Sequence, residues 1–419
     1  MKDGFIKVAA ATPDVRVADC EYNATEIIRM IHEMEAQGAK IMVFPELCIT
    51  AYTCGDLFWQ ENLLEEAKVQ LVRIAEETKE VDALIFVGLP LEYNGKLYNV
   101  AAGLNHGEIL GFVPKTWLPN YNEFYEARYF TSGEHVDGTV HIDREAYKER
   151  YDSDFDDVEF DIEMTSFDEF EELEEIDDED FGGEDFDDDE MDDELYEEDI
   201  WISPNTIFTC EDMPKLQIAA EICEDLWVPN PPSVAHAFHG ANLIVNLSAS
   251  DEVVGKDSYR KSLVSAQSAR LLCGYIYATA GEGESTQDVV YGGHNLIAEN
   301  GTILAEAKRF SNGIIYTEFD VQKIANERRK NTTFTETQEH VLPRIPFGLE
   351  QTETILTRTF PSRPFVPRDD QERTKRCEEI LTIQAMGLKK RLAHTHAKSA
   401  VVGISGGLDS TLALLVTAK

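Results

Sequence analysis

Short apolar runs alternate along most of the chain with stretches whose apolar residues recur at helical spacing. This pattern predicts strands at 5–11, 40–44, 83–89, 98–104, 108–113, 216–222, 242–247, 275–280, 295–298 and 313–319. It predicts helices at 25–37, 61–78 and 257–272. Since strands of parallel and hairpin type are separated by helices, the sequence indicates a layered α/β domain.

The pattern changes after about residue 325. The segment 326–370 is rich in proline and has little periodicity, which is typical of a linker. A helical pattern then covers 371–392, and an apolar strand is predicted at 399–404 before a glycine-rich turn and a further helix. We therefore expect a first domain at 1–325, a linker at 326–370, and the truncated N-terminal part of a second domain at 371–419.

Acidic residues are concentrated in one block. The formal net charge is −43, and residues 151–199 hold 29 of the 80 acidic residues with no lysine or arginine. A segment of this composition buries too little apolar surface to offset the entropy lost on ordering, so we expect a disordered insertion within 137–200 that loops out of the first domain. A partner-binding acidic loop is the alternative. The acidic balance argues against nucleic-acid binding.

The cysteine content and the absence of long apolar runs bear on the compartment. The seven cysteines include no CxxC pair, so neither a disulfide framework nor a zinc site is indicated. This usage is typical of a reducing environment. Since no apolar run approaches the roughly 18 residues of a membrane span, we expect a cytoplasmic protein without membrane contact.

Three chemically different residues, Glu46, Lys115 and Cys223, each follow a predicted strand. A lone cysteine in such a position is more often a packing residue, and each charged residue could equally lie in solvent. Together, however, a carboxylate, an ammonium group and a thiol supply the base, the oxyanion stabiliser and the nucleophile of covalent amide hydrolysis. This chemistry requires no metal.

The segments around these residues resemble those of a known family. The resemblance is carried by FPELCITAYTCGDLF, KTWLPNYNEFYEARYF and EICEDLWVP, which are similar to the three signature regions of the carbon-nitrogen hydrolase (nitrilase) superfamily. Within it, NLSASDEVVGKDSYR strengthens a narrower similarity to the glutaminase domains of glutamine-dependent NAD synthetases. The resemblance implies a four-layer αββα sandwich.

The same resemblance implies roles for the three residues. Glu46 would be the general base, Lys115 the charge stabiliser and Cys223 the nucleophile that forms a thioester with L-glutamine. The ammonia released would serve the ATP-dependent amidation of deamido-NAD to NAD. A homo-oligomer is expected.

The resemblance further implies a glutamine-binding site. Its residues would be Tyr121, Phe124, Glu126, Glu224, Ser250 and Lys256. Among them, Lys256 would meet the substrate carboxylate, and Glu126 resembles the second glutamate of the superfamily, which orients the lysine. From the residues alone, aromatic core packing and simple surface polarity are the alternatives.

The motif SGGLDS resembles the pyrophosphate-binding loop of the ATP pyrophosphatases, which implies the truncated start of a Rossmann-like α/β domain that binds ATP with Mg²⁺. The motif lacks the Gly-Lys-Ser/Thr ending of a Walker A loop. Its glycines allow successive backbone N–H groups to point inward at the start of a helix, where phosphate oxygens are favoured. The residues assigned to ATP are Gly403, Ser405, Gly406, Gly407, Asp409 and Ser410.

Two other functions are compatible with parts of the sequence. A stand-alone amidase acting on another carbon-nitrogen substrate is the first, and the SGGLDS motif argues against it. A non-catalytic interaction module that works through its acidic block is the second, and the complete Glu, Lys and Cys set argues against it.

Overall fold

The computed structural model of the 419-residue chain describes residues 1–152, 199–286, 288–334 and 341–419. The expected disorder of the acidic block concerns mainly 153–198, which lie outside the described residues. The described chain divides into two compact units, Met1–Thr357 and Arg358–Lys419.

The first unit contains two mixed β-sheets. Its strands are, in chain order, β1 (Phe5–Thr12), β2 (Ile41–Val43), β3 (Leu84–Tyr93), β4 (Lys96–Asn105), β5 (Glu108–Pro114), β6 (Gly138–His141), β7 (Asp199–Ile202), β8 (Ile207–Cys210), β9 (Gln217–Ile222), β10 (Leu243–Ser248), β11 (Gly274–Thr279), β12 (Leu296–Glu299), β13 (Thr302–Glu306), β14 (Gly313–Asp320) and β15 (Arg344–Phe347). The first sheet has the order β14-β1-β2-β3-β4-β5-β7-β6, and the second has the order β13-β12-β11-β10-β9-β8-β15. In the first sheet β1, β2 and β3 run parallel, and in the second β9, β10 and β11 do so, which brings the carboxyl ends of each set to one edge of its sheet.

Helices cover the outer face of each sheet. Those on the first sheet are α1 (Cys20–Ala36), α2 (Glu61–Glu77) and α3 (Glu145–Tyr147), and those on the second are α4 (Pro232–Phe238) and α5 (Lys256–Arg270). In contrast, α6 (Val321–Lys330) buries Val321 and Ile324 in the core between the sheets. α1 shows why the sequence folds this way, because Ile27, Ile31 and Met34 share one helix face and are fully buried. They belong to the core that α1 and α2 form with the first sheet.

Alternation along β1 shows how the layers are built. Ile6, Val8 and Ala10 lie in the core between the two sheets, whereas Ala9 and Ala11 lie in the core under α1 and α2. Because both faces are buried, β1 is apolar except for the buried Lys7 and Thr12. A third core joins the second sheet to α4 and α5. The predicted four-layer αββα sandwich is therefore confirmed.

The structure moves two predicted boundaries. Position 325 lies inside α6, and β15, within the predicted linker, pairs with β8, so the first compact unit extends to Thr357. The proline of β15 is tolerated because this strand forms a sheet edge. The predicted insertion at 137–200 is also too wide, since β6 and β7 pair with each other at its two ends.

The second unit contains α7 (Asp370–His394) and α8 (Leu408–Ala418). The side chain of Asp369 caps α7 by accepting a hydrogen bond from the Glu372 backbone N–H. The strand predicted at 399–404 does not form. An apolar run needs a neighbouring strand to satisfy its backbone groups, and this unit has no other strand among its described residues. Across the described parts of the whole chain, the helices are too short or too polar to span a membrane.

Candidate active site

Cys223 directly follows β9 and begins a single 3₁₀ turn, Cys223–Leu226. Its φ of 44° lies in the left-handed region, which costs a non-glycine residue about 1–2 kcal/mol. A strained turn between a strand and a helix lifts a nucleophile out of the edge of its sheet. The thiol lines a cavity of about 360 Å³.

Glu46 and Lys115 come from the first sheet and meet beside this turn. Lys115 follows β5, and its Nζ donates to Glu46 Oε1 at 2.6 Å and to Glu126 Oε1 at 2.7 Å. Both Glu46 and Lys115 are 1% exposed. The second sheet contributes Ala249, whose backbone N–H donates to Glu46 Oε2 at 2.8 Å. The carboxylate of Glu46 therefore bridges the two sheets.

Among the described residues, the hydrogen bonds of Glu46 and Lys115 leave one acceptor site on the carboxylate and one N–H group on the ammonium unused. Oε1 of Glu46 also accepts from Asn99 Nδ2 at 2.6 Å, so the described structure supplies two donors to Oε1 and one to Oε2. A carboxylate offers about four lone-pair sites, which leaves one on Oε2 for a proton. Lys115 gives two of its N–H groups to carboxylates among the described residues, and its third can face a developing oxyanion.

Burial dominates the electrostatics of these groups. Burial raises the pKa of the Cys223 thiol, and the neighbouring Glu46 carboxylate raises it further, so the thiol needs a base to react at neutral pH. Burial would lower the pKa of Lys115, but Glu126 and Glu46 hold it well above its ordinary value. Burial raises the pKa of Glu126 to about 7 against the opposing attraction of Lys115. Lys115 is therefore a cation at neutral pH.

The cavity beside Cys223 brings together most of the residues assigned to glutamine. Those that line it are Tyr121, Phe124, Glu224, Ser250 and Lys256. The Tyr121 hydroxyl donates to Glu224 Oε1 at 2.8 Å. Lys256 forms an ion pair with Asp251, and its Nζ lies 5.6 Å from the ring centre of Phe124. The lining of the cavity therefore includes both an acidic residue, Glu224, and a cation, Lys256.

Glu126 lies elsewhere. It is 4% exposed, accepts a hydrogen bond from Lys115, and lines a second cavity of about 280 Å³ instead of the cavity beside Cys223. The Tyr52 hydroxyl donates to its Oε1 at 2.8 Å. The position agrees with the role of orienting the lysine rather than with substrate contact.

Sequence reasoning missed several groups of the site. They are Tyr52, Asn99, the Ala249 amide and Trp227. Asn99 carried a signal, because it is the one amide side chain within the otherwise apolar stretch at 98–104. The Ala249 amide carried none, since a backbone donor is defined only by tertiary structure.

In the second unit, residues 405–407 form a turn that leads into α8, and residues 408–410 begin that helix. Gly406 has a φ of 83°, and the Ser405 N–H donates to Ser410 Oγ at 3.3 Å. Open space surrounds the positions that a Cβ would take at Gly403 and Gly406, so the backbone can approach an anion closely. Asp409 lies in the first turn of α8. Within the described ranges, no group of three or more His, Cys, Asp or Glu side chains could hold a metal ion.

Known protein sequences are similar to this chain over nearly its whole length. A family model described as carbon-nitrogen hydrolase matches residues 7–148 and 185–329. The chain is 33% identical over 423 residues to the glutamine-dependent NAD(+) synthetase of Mycobacterium tuberculosis (strain ATCC 25618 / H37Rv), which covers 99% of this chain and 54% of that protein. It is 25% identical over 408 residues to the enzyme of the same name from Aquifex aeolicus, covering 97% and 57%. The chain thus spans about half the length of these relatives.

Solved structures show a similar fold. A glutamine-dependent NAD(+) synthetase from Cytophaga hutchinsonii superposes with a TM-score of 0.56 at 25% identity, covering 75% of this chain and 43% of that one. An amidase of the nitrilase superfamily from Nesterenkonia AN1 superposes with a TM-score of 0.51 at 16% identity, covering 78% and 95%. The second similarity concerns the fold alone.

Proposed function

Because the chain belongs to the carbon-nitrogen hydrolase family, we propose that its first unit hydrolyses L-glutamine to glutamate and ammonia. The observation that carries the proposal is the buried contact of Lys115 with Glu46 beside a cavity that Cys223 lines. A base, a cation and a thiol are the groups that covalent amide hydrolysis needs.

Each step uses one of these groups. Glu46 Oε2 takes the thiol proton as the sulfur adds to the side-chain amide carbon, and the third N–H of Lys115 stabilises the oxyanion. The carbon–nitrogen bond then breaks, the proton on Glu46 passes to the leaving nitrogen, and ammonia departs from a thioester on Cys223. Glu46 next takes a proton from water, whose oxygen attacks the thioester. Glutamate leaves, and the proton returns to the sulfur.

The charges around the cavity favour an amino acid as substrate. Lys256 supplies a cation for the α-carboxylate, while Glu224 supplies an anionic oxygen for the α-ammonium group. Tyr121 and Phe124 form the aromatic wall along the aliphatic stem. Burial raises the pKa of Glu224, and the Tyr121 hydroxyl opposes this effect by donating to it.

We further propose that the ammonia serves a glutamine-dependent NAD(+) synthetase, in which deamido-NAD is amidated at the expense of ATP. The full-chain similarity to enzymes of that name supports this. Gly403, Ser405, Gly406, Gly407 and Ser410 would hold the ATP phosphates. Asp409 would be a single carboxylate toward Mg²⁺, which commonly keeps several waters and takes one or two protein carboxylates. A homo-oligomer remains a prediction.

The experiment compares ammonia release from glutamine by the parent chain, Cys223→Ala and Cys273→Ala. Cys273 is also buried, in the core under α4 and α5, and makes a matched control for the loss of a buried thiol. We expect Cys223→Ala to lose more than about a thousandfold in kcat, because the nucleophile is gone. Cys273→Ala should lose stability but not activity.

Two results would contradict the proposal. One is ammonia release near the parent rate by folded Cys223→Ala. The other is faster hydrolysis of simple amides than of glutamine, which would favour a stand-alone amidase.

A further inference from the structure

Asp225 is a buried carboxylate outside the reaction scheme. It lies two residues after Cys223 on the 3₁₀ turn and is 1% exposed. Its Oδ2 accepts from the Ile222 backbone N–H at 3.0 Å, and its Oδ1 accepts from the Trp117 backbone N–H at 2.8 Å. The Thr116 N–H also faces Oδ1, at 3.2 Å. The carboxylate is thus held by backbone donors from two segments.

These two segments carry the thiol and the ammonium group. Thr116 immediately follows Lys115 at the end of β5 in the first sheet, and Ile222 immediately precedes Cys223 at the end of β9 in the second. A single side chain therefore links the ends of two strands that belong to different sheets. The local bond from Ile222 also closes a short ring of backbone around Cys223, whose φ of 44° requires support from its surroundings.

We infer that Asp225 is a positioning residue that fixes the Cys223 thiol relative to the Lys115 ammonium group. The inference rests on the proposed glutamine hydrolysis, because only that reaction needs both groups at a set separation. Burial raises the pKa of the Asp225 carboxyl group to about 8, and the Ile222 and Trp117 N–H groups oppose this effect. The buried oxygens are satisfied only while their N–H donors stay in place, so the two segments are held together. A misplacement of about 1 Å between reacting groups can cost a hundredfold in rate.

The test variant is Asp225→Asn, which keeps the size of the side chain. An asparagine has one acceptor oxygen, so its NH₂ group must face either the Ile222 N–H or the Thr116 and Trp117 N–H groups. The matched control is Glu221→Gln. Glu221 is also 1% exposed, but its carboxylate accepts from the Ser233 backbone N–H on α4 and from the Tyr275 hydroxyl on β11, so it does not link β9 to the segment after β5.

Amide hydrogen exchange measures the link without any assay of activity. We expect Asp225→Asn to lose protection at Thr116 and Trp117 by more than tenfold in exchange rate, and Glu221→Gln to keep it. This readout decides whether the link exists even if the parent chain hydrolyses no glutamine. In that case the proposed function fails while the link stands.

Kinetics separate positioning from simple loss of structure. Alkylation of Cys223 by iodoacetamide needs the thiol and the base that deprotonates it, whereas glutamine hydrolysis also needs Lys115 at the oxyanion. We expect Asp225→Asn to lower kcat by about tenfold to a hundredfold, with KM and the alkylation rate within about threefold of the parent. The exposed Cys377 reports the intrinsic reagent rate in the same mass-spectrometric digest.

Asp225→Ser serves if the asparagine variant does not fold. A serine oxygen can still accept the local Ile222 N–H but is too short to hold Thr116 and Trp117. It should lose protection at Thr116 and Trp117 and lose kcat in the same way. Unchanged exchange and unchanged kcat in a folded variant would overturn the inference, and so would an equal fall in kcat and alkylation.

Discussion

Glu46, Lys115 and Glu126 are buried in the first unit, where Lys115 donates to both carboxylates, whereas residues 405–410 of the second unit are almost entirely exposed and bond mainly among themselves. The helices differ in the same way. α1 buries a full apolar face, while α7 buries no residue and α8 buries Val416 alone.

This difference teaches how each region obtains its chemistry. A buried cation between carboxylates requires a rigid frame, because desolvated charges are stable only with partners in fixed places. The two sheets and their helices supply that frame. A glycine-rich turn before a helix directs its N–H groups by local backbone conformation, and so it needs less from the rest of the fold.

The largest effect is expected at the buried cation. Lys115→Met should lower the free energy of unfolding by about 3–5 kcal/mol, because it leaves two carboxylates buried without their counterion. It should also lower kcat for glutamine by about a hundredfold to a thousandfold through loss of the oxyanion donor. Chemical denaturation and ammonia release measure the two effects.

Lys7→Met is the matched control for this prediction. Lys7 is 6% exposed, and its Nζ lies 3.8 Å from Glu318. It lies near the amino end of β1, whereas Glu46 follows the carboxyl end of the parallel strand β2. It should lose stability and keep kcat. A Lys115→Met protein with parent activity would contradict the comparison, because the first unit would then not depend on its buried charge.

A smaller effect concerns pH. Burial raises the pKa of Glu126 to about 7, from an ordinary value of 4.5, so the folded protein holds this proton more tightly than the unfolded chain. The resulting stability is complete below about pH 4.5 and is lost as pH rises through about 7. A glutamine does not titrate, so Glu126→Gln should not lose stability in this way as pH rises. The difference in Tm between Glu126→Gln and the parent should therefore grow from pH 5 to pH 8.

Tyr52→Phe sharpens the pH test. The Tyr52 hydroxyl donates to Glu126 and lowers its pKa, so removal of the hydroxyl should move the loss of stability to higher pH. Tm curves of the parent and both variants measure this, because their other titrating groups are shared. Identical pH dependence in all three would show that Glu126 does not titrate in this range.

The sequence allowed prediction of the parts that local patterns specify. Strands buried on both faces, such as β1 and β10, are mostly apolar and were predicted to within a residue or two. The Glu, Lys and Cys set was predicted because each residue follows such a strand, and its catalytic role stays a prediction. The αββα layering followed from the family resemblance.

Other parts depend on contacts that sequence pattern does not record. β15 has four residues, including a proline, and exists only because it pairs with β8. α4 has seven residues and too little periodicity to stand out. The run at 399–404 is the opposite case, since its apolar pattern favours a strand but no partner strand is present among the described residues of its unit.

The smallest effect is expected from separating the two regions. A chain that ends at Thr357 keeps every residue of the first compact unit, so it should hydrolyse glutamine with kcat/KM within about twofold of the parent and unfold at a similar Tm. It should lose binding of ATP with Mg²⁺, measured by equilibrium dialysis.

In the uncut chain, Gly406→Val should lose ATP binding and keep glutamine hydrolysis, because Gly406 has a φ of 83° that a β-branched residue resists.

A second cut, after residue 325, shows why Thr357 is the right end. It removes Arg328, which donates to the carbonyls of Leu272 and Ala241 at 2.9 and 2.7 Å, so both carbonyls lose this donor. It also removes Thr357, whose hydroxyl donates at 2.8 Å to the fully buried Glu318. The shorter chain should therefore be unfolded or aggregated while the longer one is active. Equal activity of both cut chains would place the end of the catalytic unit at the position that the sequence predicts, and inactivity of both would show that glutamine hydrolysis needs residues 358–419.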